Sequence, residues 1–320
     1  MELPILKEYH PLPSIIEGEE DAVFCIRLNT GRNCLEYILH SRQYRKVYIP
    51  YYTCDVVLEP FHKLNIEYEF YHIDINFEIS QEIALQKGEA MLYTNYYGLK
   101  QRYVEKLAQQ YGSQLIVDST QAFYAKPIKG IDTFYTCRKF FGVPDGAYLY
   151  TNNLLEQEFE KDISWDRMSF LTKRIDLGAE AGYADFRHES GKLIGQPIKR
   201  MSNLTLRLMQ SIDYEETARQ RRNNYLSLQK TLGKSNLLNL KLEKDAIPMV
   251  YPYMIDKEGL REFLIQHKVF VARYWPSVLE WTEPSDFEYA ITSFMLPLPC
   301  DQRYSENDMI RIVEIVNSFE

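Results

Sequence analysis

Between residues 31 and 151 short apolar segments alternate with amphipathic ones, and this rhythm restricts the chain more than any other feature. GRNCLEYILHSR (31–42) places Cys34, Leu35, Ile38 and Leu39 on one helical face, with Asn29 or Thr30 available as N-cap. KVYIP (46–50) is a short strand ended by Pro50, and residues 53–64 are again helical, with a kink expected at Pro60. Strands follow at 67–73 and 89–94, and QRYVEKLAQQY (101–111) is an amphipathic helix closed by Gly112. QLIVD (114–118), DTFYT (132–136) and GAYLYT (146–151) are compact apolar strands. Strands alternating with helices of this length predict an α/β fold with a mostly parallel sheet sandwiched by helices.

Near residue 200 the pattern changes. Residues 203–232 form one long charged helix, on which Arg219, Arg221 and Arg222 read as a solvated basic face balanced by Glu215 and Glu216. A strand (247–255), a helix (256–267), a short strand (268–272) and a last helix opened by Ser305 with Asp308 three residues on complete the chain. These elements predict a large domain over 1–205 and a linking helix with a smaller C-terminal α/β domain over 206–320.

A chain of 320 residues that is 45% hydrophobic can bury a large core. Its formal charge of -8 argues against nucleic acid or an anionic membrane as partner. The 25 tyrosines read as core packing with polar tips. Cys25, Cys34, Cys54, Cys137 and Cys300 form no CxxC pair, which predicts a reduced, cytoplasmic protein without disulfides or a metal centre. The six histidines show no metal-ligand spacing, and Cys137 reads as packing. The opening MELPILKEYHPLPSIIEGEED lacks the basic and apolar regions of a signal peptide, and no apolar run reaches the roughly 18 residues of a membrane span.

Three segments fall where α/β sheets place ligands, at the carboxyl ends of strands or at helix starts. Asn29-Thr30-Gly31-Arg32 opens the first helix, where backbone N–H groups attract phosphate. Asp118-Ser119-Thr120-Gln121 follows QLIV; an acid there can hold a metal, a ribose hydroxyl or a protonated ring nitrogen, or can cap a turn. Thr136-Cys137-Arg138-Lys139-Phe140-Phe141-Gly142 carries a lysine out of a buried strand, a position in which desolvation beside a cofactor makes it a usable nucleophile and proton carrier. A phosphate cradle, a strand-end Asp and a strand-end Lys together are what pyridoxal-phosphate (PLP) chemistry requires.

At these residues the chain resembles the DegT/StrS-type sugar aminotransferases, within the fold-type I PLP-dependent (aspartate-aminotransferase) superfamily. Thr30-Gly31-Arg32-Asn33-Cys34-Leu35 is similar to that family's S-G-T-x-A-L cradle, and Ile49-Pro50-Tyr51-Tyr52-Thr53 to its P-x-x-T segment. Asp118-Ser119-Thr120-Gln121-Ala122 resembles D-x-A-Q-A, and Thr136-x-x-Lys139 the S-x-x-K of fold-type I enzymes. Asp145-Gly146-Ala147, Lys199-Arg200-Met201-Ser202, Tyr274-Trp275-Pro276 and Leu296-Pro297-Leu298-Pro299 are similar to later landmarks.

The resemblance implies a large PLP-binding domain, a small C-terminal domain and a homodimer with its site at the interface. It makes Lys139 the Schiff-base lysine, Asp118 the pyridine partner, Gln121 a partner of the phenolic oxygen, and Thr30, Gly31, Arg32 and Thr136 the phosphate anchors. Arg138 either adds a charge-assisted bond or is a surface ion-pair residue. The implied reaction moves an amino group, with glutamate as donor, onto a keto group of a nucleotide-linked sugar for polysaccharide synthesis. Three positions depart from the family: Cys54 stands where an aromatic residue or His stacks on the ring, leaving the thiol or Tyr52 for that place. Ile198 falls where an Asn reaches the partner subunit, and the S-F-H before the lysine is altered. Two rivals are a sugar dehydratase, whose family members replace the lysine with His, and a non-catalytic binding or regulatory protein on the same scaffold.

Overall fold

The computed structural model describes residues 15–16 and 23–319. Most of the opening segment read above as no signal peptide lies outside the described residues. The strands are β1 (Ile15–Ile16), β2 (Val23–Leu28), β3 (Lys46–Pro50), β4 (Glu67–Tyr71), β5 (Glu89–Thr94), β6 (Leu115–Asp118), β7 (Asp132–Thr136), β8 (Ala147–Thr151), β9 (Tyr251–Met254) and β10 (Met295–Leu298). The helices are α1 (Gly31–Arg42), α2 (Leu58–Leu64), α3 (Gln101–Tyr111), α4 (Ser169–Leu177), α5 (Tyr183–Gly191), α6 (Asn203–Gln210), α7 (Tyr214–Leu232), α8 (Leu260–Gln266), α9 (Val278–Trp281), α10 (Phe287–Phe294) and α11 (Glu306–Asn317).

One sheet runs in the order β1-β2-β8-β7-β6-β5-β3-β4. From β4 to β7 every pairing is parallel, as the alternation of strands and helices predicts. Every residue of β5, β6, β7 and β8 is buried, because helices cover both faces and leave no side for polar residues. At the edge, β4 alternates instead: Glu67 and Glu69 face solvent and Tyr71 is buried. Two apolar clusters flank the sheet. One gathers Cys34, Leu35, Ile38 and Leu39 of α1 with Phe61 of α2, and the other holds Val104 and Leu107 of α3 with most buried tyrosines. Those tyrosines bear out the core reading, since their hydroxyls find backbone carbonyls: Tyr71 donates to Leu92 O at 2.8 Å and Tyr93 to Phe77 O at 2.7 Å.

The register decides where function can reside. β8 is antiparallel to both β7 and β2, so β2 runs parallel to β7 and their carboxyl ends lie on one edge. Ala147 pairs with Leu28 on one side and Thr136 on the other, and Asp118 pairs with Phe134. The starts of α1, the Asp118 loop and the Lys139 loop therefore share one rim of the sheet. Gly146 closes that rim at φ +109°, where an added Cβ would lie 2.8 Å from the Thr205 methyl, so the turn requires glycine.

Thr30 caps α1 by accepting from Asn33 N at 3.1 Å, and the backbone N–H of Gly112 ends α3 on Ala108 O. Asp308 accepts from Ser305 N at 2.8 Å at the start of α11, as the capping pattern predicts. Four expectations are corrected. Pro60 sits in the first turn of α2, where its missing N–H has no helical acceptor to lose, so there is no kink. The helix expected over 203–232 is two, α6 and α7, because Asp213 caps a new start by accepting from Glu216 N at 2.9 Å. Only Arg219 of the basic cluster sits on a solvated face; Arg221 is 1% exposed and Arg222 bonds Glu243 O and Ala246 O. Residues 268–272 form no strand. Val269 and Val271 are buried as loop side chains, and the partner of β9 is β10.

Candidate active site

Lys139 follows β7, and its Nζ donates to Thr120 Oγ1 at 2.9 Å. Thr120 in turn donates its backbone N–H to Asp118 Oδ1 at 2.8 Å. Two loops leaving adjacent parallel strands thus meet through one hydroxyl. Burial pushes the Asp118 carboxyl above its ordinary pKa, against the pull of the Lys139 charge and the Thr120 hydrogen bonds. Lys139 itself is exposed, whereas Phe140 and Phe141 beside it are buried.

The start of α1 closes the third side. A Cβ on Gly31 would lie 3.1 Å from the Thr120 methyl, so the helix start and the Asp118 loop are in close contact. Asn29 Oδ1 is buried there with no hydrogen-bond partner. Arg32 turns away to pair with Glu59 at 2.5 Å. Thr136 is buried, its hydroxyl 3.5 Å from Gly146 O. Arg138 reaches Ser190 Oγ at 3.3 Å, and its Nε is buried without a partner.

Gln121 is buried, and its Oε1 accepts from Tyr97 N at 3.0 Å. Tyr97 is held at φ +57°, a left-handed conformation rare for a bulky side chain, and its hydroxyl lies 2.9 Å from that of Tyr52. Tyr52 is fully buried, edge-on to Trp275. Cys54 is half-buried. Burial raises its thiol pKa, while the Val56 N–H and the Lys139 charge pull it down.

No protein-family model matches the sequence, and no curated protein matches it. Solved structures do. A DegT DnrJ EryC1 StrS aminotransferase from Brucella abortus superposes with TM-score 0.62 at 14% identity, covering 92% of this chain and 86% of that one. Spr1654 of Streptococcus pneumoniae, assigned as a sugar aminotransferase and solved in a PLP form, gives 0.65 at 14% identity over 92% and 86%. The GDP-4-keto-6-deoxymannose-3-dehydratase ColD, solved with GDP-perosamine, gives 0.64 at 13% over 92% and 88%. The fold is that of the PLP-dependent aminotransferases.

In this aminotransferase fold the sequence-predicted residues fall into three groups. Asp118 and Lys139 converge through Thr120, with Gly31 against the same threonine and Cys54 within the field of the lysine. Gln121 and Tyr52 lie behind this group, joined through Tyr97. Arg32, in the first turn of α1, is neutralised by Glu59, and Arg138 bonds Ser190 with no carboxylate among the described residues at ion-pair distance.

Four contributing residues carry little signal in the sequence. Thr120 is the junction of lysine and acid, legible only as the third letter of D-S-T-Q. Tyr97 lies on a loop 24 residues before Gln121. Arg221 on α7 donates to Phe140 O at 3.2 Å and stacks over the Phe140 ring at 4.5 Å, and Gln302 donates to the same carbonyl at 2.7 Å. Both hold the backbone that follows Lys139, from positions far along the chain.

The donor set fits PLP. A buried Asp faces a lysine amine, and a glycine opens the adjoining helix against the same loop.

Proposed function

We propose that this chain is a PLP-dependent aminotransferase that aminates a keto group of a nucleotide-linked sugar, with glutamate as donor, for cell-surface polysaccharide synthesis. The observation that carries this reading is the meeting of Lys139 and Asp118 on Thr120 at the rim where α1 begins. When bound, the cofactor supplies an electron sink conjugated to the exchanging amino group. Asp118, buried beside a cation, is suited to hold a protonated ring nitrogen, because a nearby positive charge offsets the burial that now favours its neutral form.

Lys139 would hold the cofactor through Nζ and would carry a proton at the substrate carbon, and Thr120 orients that amine. Gly31 and the first N–H groups of α1, with Thr136, would hold the phosphate. Gln121, its Oε1 held by the Tyr97 N–H, would offer its remaining amide N–H groups to the phenolic oxygen. Cys54, within the field of Lys139, is favoured as the ring-side residue over Tyr52, whose ring is fully buried against Trp275.

The remaining parts of the proposal rest on coarser support. Five free cysteines fit a reducing cytoplasm, and no helix among the described residues is long and apolar enough to cross a membrane. The homodimer is supported by Ile163, Trp165, Ile175 and Leu177, each at least 70% exposed, on the segment before α6. The division into domains 1–205 and 206–320 is supported by the separate β9–β10 sheet. The likeness to ColD favours a sugar dehydratase as second reading, but a lysine that reaches Thr120 is what amino transfer needs.

The test is an absorption spectrum of purified protein with PLP, for wild type and Lys139→Ala, before and after glutamate. A visible band in wild type alone that bleaches with glutamate is expected. A Lys139-dependent band that glutamate leaves unchanged would retain the cofactor and reopen the donor and the reaction. No band in either protein would sink the enzymatic reading.

A further inference from the structure

Tyr97 is fully buried in a left-handed backbone conformation, φ +57°, that a bulky side chain adopts only when its surroundings impose it. Each of its polar groups is held by a different part of the chain. Its N–H donates to Gln121 Oε1 at 3.0 Å, and its carbonyl accepts from Met249 N at 2.9 Å. Its hydroxyl lies 2.9 Å from that of Tyr52, whose carbonyl accepts from the Tyr96 hydroxyl at 2.9 Å. The Tyr97 ring stands edge-on to Phe77 at 5.6 Å. Gly98 continues the left-handed turn at φ +75°, where an added Cβ would lie 2.7 Å from Ile247 O and 3.4 Å from Gln121 O.

The sheet brings these residues together. β5 and β6 are adjacent and parallel, with Thr94 opposite Asp118, and Tyr97 and Gln121 each stand three residues past that pair. A carboxamide has one accepting end and one donating end, and a main-chain N–H can only donate. The end of Gln121 that faces Tyr97 is therefore the oxygen. The reverse orientation would set two donors against each other at a side chain that is 1% exposed, leaving both unpaired. The other end, which carries only N–H donors, is what Gln121 can turn toward a ligand.

We infer that Tyr97 is a positioning residue, whose left-handed main chain aims its N–H at Gln121 and so fixes that side chain as a hydrogen-bond donor. Its hydroxyl at the same time holds Tyr52, two residues before Cys54. The inference rests on the aminotransferase reading, which makes the cofactor's phenolic oxygen the partner of Gln121. A donor strengthens its bond when that oxygen is ionised. It also weakens the oxygen's hold on a proton at Lys139 Nζ, so the visible band of the bound cofactor should titrate at lower pH with the donor than without it.

The test uses full chains loaded with PLP and reads the pH midpoint of that band in wild type, Gln121→Glu, Tyr97→Asn and Tyr97→Val. Gln121→Glu keeps an oxygen for the Tyr97 N–H but has no donor in its ionised form, and should raise the midpoint by about one pH unit or more. The two Tyr97 variants both delete the ring and the hydroxyl. Asparagine tolerates the left-handed region, whereas β-branched valine is driven out of it and would swing the N–H off Gln121. Tyr97→Asn should therefore titrate as wild type does, and Tyr97→Val should shift toward Gln121→Glu. Equal midpoints in the asparagine and valine variants would overturn the inference and leave Tyr97 a packing residue. If Tyr97→Val does not fold, Gln121→Glu decides: a raised midpoint supports the donor, and a wild-type midpoint overturns it. A wild-type band that no variant moves would overturn this inference alone. Absence of a Lys139-dependent band in wild type would remove the aminotransferase reading and the inference with it.

Discussion

Asp118 shows how the candidate site trades stability for chemistry. Its carboxyl is buried at the end of β6, and burial outweighs the help of Lys139 and Thr120, so its folded pKa stands above the unfolded one. A carboxyl raised in the folded state stabilises the fold while it is protonated. That contribution is lost as pH rises through the folded pKa, so at neutral pH the ionised group is a burden. Asp118→Asn should therefore raise the melting temperature of the cofactor-free protein at pH 7. The gain should shrink as pH falls through the folded pKa toward the ordinary carboxyl range, where Asp118 is protonated as well. The same variant should lose amino transfer by several orders of magnitude, since an amide cannot hold a ring nitrogen protonated. A melting temperature that falls at neutral pH would contradict the role of burial.

At the scale of elements, α7 and the chain beyond it steady the lysine loop. Arg221 is fully buried and donates to Pro248 O, Met249 O and Phe140 O, so one side chain ties three carbonyls from two distant segments. Arg221→Met fills much of the volume but takes the Arg221 donor from the Pro248 and Met249 carbonyls and leaves Phe140 O with Gln302 alone, and should lower stability by about 2–4 kcal/mol in urea unfolding. Because Phe140 O lies one residue from Lys139, the variant should also lower kcat more than it raises KM for glutamate. A full loss of stability with kinetics unchanged would make Arg221 a core residue only. The sequence pattern set Arg221 beside Arg219 and Arg222 on a charged helix, and helical periodicity alone does not reveal which of three neighbouring arginines faces inward.

The whole molecule presents its candidate lysine at an exposed rim, and exposed Ile163, Trp165, Ile175 and Leu177 lie on the segment that leads to Ser190 and Gln196. A second copy covering this surface would both bury the apolar side chains and shield the lysine from water. Light scattering should accordingly give twice the chain mass of 37.9 kDa. A Trp165→Glu, Ile175→Glu double variant should shift the mass toward the single chain and lower the affinity for PLP. A wild-type protein of single-chain mass at micromolar concentration would remove the dimer from the proposal.

Local chemistry along the chain was enough to place the parallel core, a helix cap at Asn29 or Thr30 and another at Ser305, and the three segments that carry Gly31, Asp118 and Lys139. Each of these follows from short-range rules: periodicity, capping hydrogen bonds, and apolar runs that must be buried on both faces. Only tertiary structure decided the rest. The split between α6 and α7, the pairing of β9 with β10, and the loop state of residues 268–272 depend on which partners remain unpaired once the chain has folded. The junction at Thr120, the tie from Arg221 to Phe140 and the hydrogen bond from Arg138 to Ser190 arise from contacts between residues 19, 81 and 52 positions apart. Side-chain contacts across such distances follow from packing the whole core at once, and no local pattern encodes them.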